Sequence, residues 1–131
     1  DTPAATTDFR EAYKGNYNYN KTIVHEQHPS GGIATRTTTD TVGTVTISYS
    51  ITDSLTHTTP NGKFTYPALN FTYSNGSKEM IGVRSNGTLV RFTTYHSQSG
   101  GFINADSFIH VALTGGVSFT DSIGFAGKRI K

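Results

Sequence analysis

The chain has 131 residues, with 11 Lys and Arg against 9 Asp and Glu for a net charge of +2. That is room for one domain with one core, and the weak, scattered positive charge excludes a nucleic-acid or membrane-surface partner recognised by charge. The absence of cysteine excludes disulfides, zinc-thiolate centres and thiol catalysis, and no apolar run approaches the ~20 residues of a transmembrane helix.

The opening segment 1–7, polar and made of Thr, Ala and Pro, reads as a linker left after removal of a signal segment, with a single domain over residues 8–131. Asp8 and Glu11 have the spacing of a capping box, and Phe9, Ala12 and Tyr13 form a short apolar stripe that Gly15 ends, so one helical turn is predicted here. Residues 16–25 alternate, with Tyr17, Tyr19, Lys21, Ile23 and His25 on one face and Asn18, Asn20, Thr22 and Val24 on the other; this is the first strand. From His28 to Asp40 the composition shifts to Pro, Gly and Thr, which predicts a long loop or a frayed hairpin around Gly31-Gly32. Residues 44–51 alternate cleanly between Val45, Ile47, Tyr49, Ile51 and a row of Thr and Ser. Further strands are predicted at 63–66, 69–74, 77–84, 88–96, 107–113 and 117–125, with turns at the Asn-Gly pairs, at Gly100-Gly101 and at Gly115-Gly116.

The 22 threonines, seven Tyr and eight Phe suit a pleated, half-wetted surface. About eight strands with short sequential connections predict an all-β, up-and-down antiparallel barrel; an open β-sandwich is the alternative. Lys128, Arg129 and Lys131 read as a solvated terminus. The sequons at Asn20, Asn70, Asn75 and Asn86 are expected by chance in a chain this rich in Asn, Ser and Thr.

Asn61-Gly62, Asn75-Gly76 and Asn86-Gly87 carry the sharpest local signal, because Asn-Gly tolerates the positive φ angles of a two-residue type I′ loop. On that reading Ser85 pairs with Thr88, Val83 with Val90 and Ile81 with Phe92, while Met80, Gly82, Arg84, Leu89, Arg91, Thr93 and Tyr95 share the other face. The same rule sets Phe71 opposite Met80 and Leu69 opposite Gly82. Neither face is then purely apolar. Either a bulge shifts the register, or the buried side carries polar groups.

A small barrel holds either side chains or one small ligand. An inward Arg91 with Tyr95 nearby would suit a carboxylate or another anionic head group, and Tyr17, Tyr19, Phe71 and Arg84 complete the candidate ligand-binding set. The simpler arrangement has Arg91 in solvent with Val90 and Phe92 in the core. His25 and His28 do not converge on a metal at that spacing, and His57, His96 and His110 are ordinary surface or half-buried histidines by default. No nucleophile elbow or phosphate loop is present, and Asp53, Glu79, Asp106 and Asp121 form no inferable catalytic pair. Exposed tyrosines among Tyr13, Tyr17, Tyr19, Tyr66, Tyr73 and Tyr95 would make a stacking platform, though such residues more often pack inside a barrel.

The Tyr13-Lys14-Gly15-Asn16-Tyr17 opening, the Val45–Ser48 strand, the Asp53-Ser54-Leu55 and Asp106-Ser107-Phe108 strand entries and the closing Gly124–Arg129 strand resemble small secreted or lipid-anchored β-barrel proteins of Bacteroidetes. The resemblance implies a lipocalin-like or calycin-like barrel in the periplasm or on the outer membrane, tethered only by a lipidated cysteine upstream. It supplies no catalytic residues and no cofactor. The Gly-x-Trp opening of lipocalins and avidins is replaced here by Gly15-Asn16-Tyr17, so their ligands are not transferred. The expectation is a non-enzymatic binding protein that holds a small amphipathic or anionic ligand in the lumen or mouth. The alternatives are a surface module recognising glycan or protein through a Tyr/Thr face and, third, a hydrolase or isomerase at the barrel end.

Overall fold

The computed structural model describes residues 8–91 and 97–131. Asp8 caps a 3₁₀ turn, Phe9–Tyr13, by accepting from the Arg10 N–H, and Lys14 closes it. Nine strands follow among the described residues: β1 (Gly15–Gln27), β2 (Thr35–Ser48), β3 (Ser54–Thr59), β4 (Gly62–Tyr73), β5 (Lys78–Val83), β6 (Thr88–Val90), β7 (Ser97–Ile103), β8 (Ser107–Gly115) and β9 (Phe119–Arg129). All pairings are antiparallel, in the order β2-β1-β9-β8-β7-β6-β5-β4-β3. A further pairing of β2 with β4, Val45 opposite Tyr73 and Ile47 opposite Phe71, joins the ends of the sheet. The result is a closed up-and-down barrel in which β3 is an extra strand paired to the first half of β4, as the sequence led us to expect of the architecture. Closure removes the open edges that a meander would otherwise expose.

Two of the three Asn-Gly loops, at Asn75-Gly76 and Asn86-Gly87, are one residue longer than the two-residue reading. Tyr73 donates to Ser77 O at 2.8 Å and Arg84 to Thr88 O at 3.0 Å, so the loops are the three residues Ser74-Asn75-Gly76 and Ser85-Asn86-Gly87. Gly76 and Gly87 take φ of 90° and 88°, and the Asn75 and Asn86 carboxamides accept from the backbone N–H groups of Ser77 and Thr88. A turn followed by a left-handed glycine adds one residue and shifts the register by one. Phe71 therefore faces Glu79, Leu69 faces Ile81 and Val83 faces Leu89. Leu69, Phe71, Ile81, Val83 and Leu89 all turn inward and are buried, whereas Val90 points out and Arg84 is exposed. At the first pair, Thr59 lies opposite Gly62 around a Pro60-Asn61 loop.

Other boundaries also move. The loop after β1 is short, because Thr35–Asp40 pair with Thr22–Gln27 as the upper half of β2; threonine sustains a strand there with both faces wet. The two segments expected at 63–66 and 69–74 are one strand running through Pro67. Ala68 donates to Asp53 O on the β3 side, so Pro67 directs its nitrogen to the other side, where pairing with β5 begins only at Ala68. Gly100-Gly101 is not a turn but the middle of β7, with Gly101 opposite His110. The expected linker 1–7 and the end of the strand expected at 88–96 lie outside the described residues.

The interior is layered. Ile47, Leu69, Ile81, Val83, Leu89 and Ile103 fill one end, and Tyr17, Phe71 and Phe108 pack edge to face above them, with centroids 5.4 to 5.7 Å apart. The 3₁₀ turn covers this end, with Phe9 and Tyr13 against the core. Arg10 is 2% exposed and is satisfied by the Asp8 carboxylate and by the Asp53 and Ala68 carbonyls.

Arg129 seals the same end and is not the free terminal charge expected. Its guanidinium lies 4.8 Å from the Tyr17 ring centroid and donates to the Tyr17 hydroxyl, to the Ala12 and Lys14 carbonyls at 2.8 and 2.7 Å, and to the Ala105 carbonyl. The opening Gly15-Asn16-Tyr17 and the closing Gly127-Lys128-Arg129 thus meet in space. Gly15 sits at φ 145° directly under the guanidinium, where a Cβ would collide with it. Arg129→Ala is expected to cost about 1–2 kcal/mol in urea unfolding, since it removes several charge-assisted hydrogen bonds and the cover over the Tyr17 ring at a partly exposed site. Arg129→Lys should restore less than half of that, because an ammonium cannot span the same carbonyls; full recovery by Lys would show that charge alone suffices.

Candidate functional site

Above the aromatic layer the barrel interior turns polar. Alternation along β5 carries Glu79, Ile81 and Val83 on the inner face, and the one-residue register shift places Arg91, just past β6, on that face too. The Arg91 Nη1 lies 2.9 Å from Glu79 Oε1, with the arginine side chain 37% and the glutamate 17% exposed. Tyr73, on β4, donates its hydroxyl to Glu79 Oε2 at 3.2 Å. His110, two residues beyond Phe108 on β8, is fully buried. Its Nδ1 stands 3.7 Å from Glu79 Oε2, too far for a hydrogen bond.

Neither ring nitrogen of His110 has a hydrogen-bond partner among the described residues. The imidazole stacks on Phe125 with centroids 5.5 Å apart and planes at 13°, and Phe125 also meets Tyr19 and Tyr73. Lys21 holds its ammonium 5.4 Å from the Phe125 centroid. Ile23 and Ile123, paired across β1 and β9, continue the inward side toward the rim and are half-buried.

The electrostatics follow from burial. Desolvation pulls the His110 imidazole below the ordinary histidine value of 6.5; Glu79 opposes this and Arg91 reinforces it. The ring is neutral at pH 7, with one N–H to give and one lone pair to receive. Burial, with the Glu79 carboxylate next, pushes the Tyr73 phenol far up, so it remains a donor. Glu79 and Arg91 compensate each other, and the cluster is a neutral, hydrogen-bonding surface on an aromatic floor.

Of the residues expected at a ligand site, Tyr17, Tyr19 and Phe71 are in the packed interior. Arg91 is inward, contrary to the simpler solvent-facing arrangement, but its fork is occupied by Glu79. Arg84 does not join it: it is exposed at the β5–β6 loop with its guanidinium 5.8 Å from the Tyr66 centroid. Tyr95 lies outside the described residues. Tyr73, Glu79 and His110 were not in the expected set. Their signal was parity, Glu79 in step with Ile81 and Val83, and His110 in step with Phe108.

Concavities open to solvent lie elsewhere among the described residues. A groove of about 680 Å³ crosses the outer face of β2, β1, β9 and β8 between Val42 and Ile109, floored by Asn18, Asn20 and Ala126 with Lys128 at one end. At the rim a pocket of about 400 Å³ is lined by His25, Gln27, Pro29, Ser118 and Phe119, where His25 pairs with Asp121 and stacks on Phe119. Among the described residues no three His, Asp or Glu side chains converge as metal ligands. Comparison with protein-family models, with curated proteins and with solved structures finds no match for this chain.

His110 makes the barrel sensitive to mild acid. The unfolded chain takes up a proton near pH 6.5 that the folded interior resists, so stability rises with pH through this range and falls on acidification, by at most about 1.4 kcal/mol per pH unit. Asp8, Glu11 and Asp53 have lowered values and ordinary ones of 3.8 to 4.5, so their contribution is lost only at lower pH. The urea midpoint is expected to drop between about pH 7.5 and pH 5.5, and His110→Leu to flatten that drop. An equal slope in both proteins would remove His110 as its source.

Proposed function

We propose that this protein binds a small amphipathic molecule in the barrel mouth, with the polar group against Glu79 and Arg91 and the apolar part along Phe125, Ile23 and Ile123. The observation that carries the reading is the inward, part-exposed Glu79–Arg91 pair above the aromatic layer, with the half-buried Ile23 and Ile123 between it and the rim. A ligand group that hydrogen-bonds this pair adds to what the buried area supplies, because hydrogen bonds to charged groups are the stronger ones. The lower interior is filled with side chains, so the ligand rests on the aromatic layer rather than passing through it. An anionic head group is disfavoured against an uncharged one, since Arg91 already holds a carboxylate and a second would face Glu79 unpaired.

The outer groove supports a second reading, recognition of a partner at the surface, because Val42 and Ile109 are 78% and 58% exposed around it. The two readings separate with one apolar reporter dye, N-phenylnaphthylamine, titrated by fluorescence. Binding of one dye per chain, weakened about tenfold or more by Ile123→Glu and unchanged by Ile109→Glu, is expected for the mouth. The reverse pattern moves the site to the outer groove.

A further inference from the structure

We infer that the upper half of β2 is a pairing edge for a second copy of this chain, joined antiparallel about Thr38. This surface is distinct from the mouth and from the outer groove, and the inference depends on neither.

The pairing that closes the barrel covers only Val45–Ser48 of β2, and the removal of open edges stops there. Above it, β2 pairs with β1 on one side and has no strand on the other among the described residues. Thr44 marks where the cover ends. Its N–H donates to Ser74 Oγ at 3.1 Å and its carbonyl accepts from the Ser74 N–H at 2.8 Å, both on the side away from β1. The direction of the backbone groups alternates along a strand, so Val42, Asp40, Thr38 and Arg36 turn their N–H and C=O groups to that same open side. All of these residues are exposed. No proline blunts the strand, and its register with β1 runs without a bulge.

Charge selects the register. Edges of this kind are commonly protected by charged side chains, and here those are Arg36 and Asp40, opposite in sign. Both lie on the outward face, since the buried Val45 and Ile47 have the other parity. When two copies align antiparallel with Thr38 opposite the partner's Thr38, Arg36 falls opposite the partner's Asp40, and Asp40 opposite the partner's Arg36. These are also positions whose backbone groups face one another, so one register satisfies the ladder and the charges together. The next register on either side separates the charges. The one beyond sets Arg36 against the partner's Arg36, or Asp40 against the partner's Asp40.

The other face agrees with this alignment. Thr37 falls opposite the partner's Thr39 and Thr35 opposite the partner's Thr41, and cross-strand threonine pairs stabilise a sheet. Neither charge is fully committed within the chain. The Arg36 side chain is 66% exposed and reaches Glu26 only at 4.0 Å. Asp40 accepts from the Thr22 hydroxyl at 2.7 Å and, as a carboxylate, has acceptor sites to spare.

The test is sedimentation equilibrium over a concentration series, with circular dichroism to check that each variant is folded. The native chain is expected to associate reversibly to twice its mass. Thr38→Pro removes an N–H that points away from the barrel, a change an edge strand tolerates, and is expected to abolish the dimer. Arg36→Asp sets like charges opposite one another at both symmetric positions and is expected to raise the dimer Kd about tenfold or more; adding Asp40→Arg restores the pairs and is expected to bring Kd back to within about threefold. A native chain still monomeric on the order of 1 mM would overturn the inference. A dimer indifferent to Thr38→Pro would place association on another surface, and a double variant no tighter than Arg36→Asp would overturn the alignment about Thr38.

Discussion

Arg129 ties the two ends of the chain together over the apolar end of a barrel that the β2–β4 pairing closes. It leaves the last strand, holds its guanidinium over the ring of Tyr17 of the first, and donates to carbonyls at the end of the 3₁₀ turn and in the β7–β8 loop. The carbonyls ending a helical turn have no intrahelical donors, and here a single planar cation supplies them while covering an aromatic ring. Because β1 and β9 are direct neighbours, this contact joins the two ends of the chain and caps the apolar layer in one step. Gly15 is the concession it requires, a left-handed position where any side chain would displace the guanidinium.

Much of the architecture was legible because a closed meander writes itself locally. Alternation in β1, β8 and the lower half of β2, and the glycine punctuation, follow from neighbours in sequence. Register did not follow, because Asn-Gly is compatible with both a two-residue loop and a three-residue loop that places the glycine last. A difference of one residue exchanges the faces of two strands, and the mixed surfaces that resulted from the shorter loops were themselves the sign that the longer ones were in use. β3 and the upper half of β2 were hidden for a different reason. Their threonines pair through the backbone with little burial, so no apolar alternation marks them. β7 was hidden by Gly100-Gly101, glycines that signal a turn in sequence but serve here to bring β7 close to β8 at His110.

The polar cluster was legible only in part. Arg91 was recognisable as a residue able to hold a polar ligand group, but its partner was not, since Glu79 and Arg91 belong together only once the β5–β6 register is known. His110 is far from both in sequence and reaches them across the barrel. Separations of this kind are set by closure of the sheet, and no spacing along the chain encodes them. The misreading of Lys128, Arg129 and Lys131 as one solvated group has the same origin: alternation sends Lys128 outward and Arg129 inward, to opposite faces of β9.

The cluster does not explain itself as a stabilising device. A buried or half-buried ion pair is weak evidence for stability, because apolar residues of similar volume are often as good or better, and the layer below shows that this barrel packs such residues well. A buried imidazole with no hydrogen-bond partner for either nitrogen among the described residues is a net cost to the folded state. The outer groove lacks this property: its polar lining residues Asn18, Asn20 and Lys128 are exposed to solvent, so an occupant there would gain chiefly the burial of Val42 and Ile109. At the mouth, the part-exposed Glu79–Arg91 pair would offer an occupant a charge-assisted hydrogen bond as well. On the proposed reading that difference favours the mouth, where an occupant's polar group meets a charged donor and acceptor.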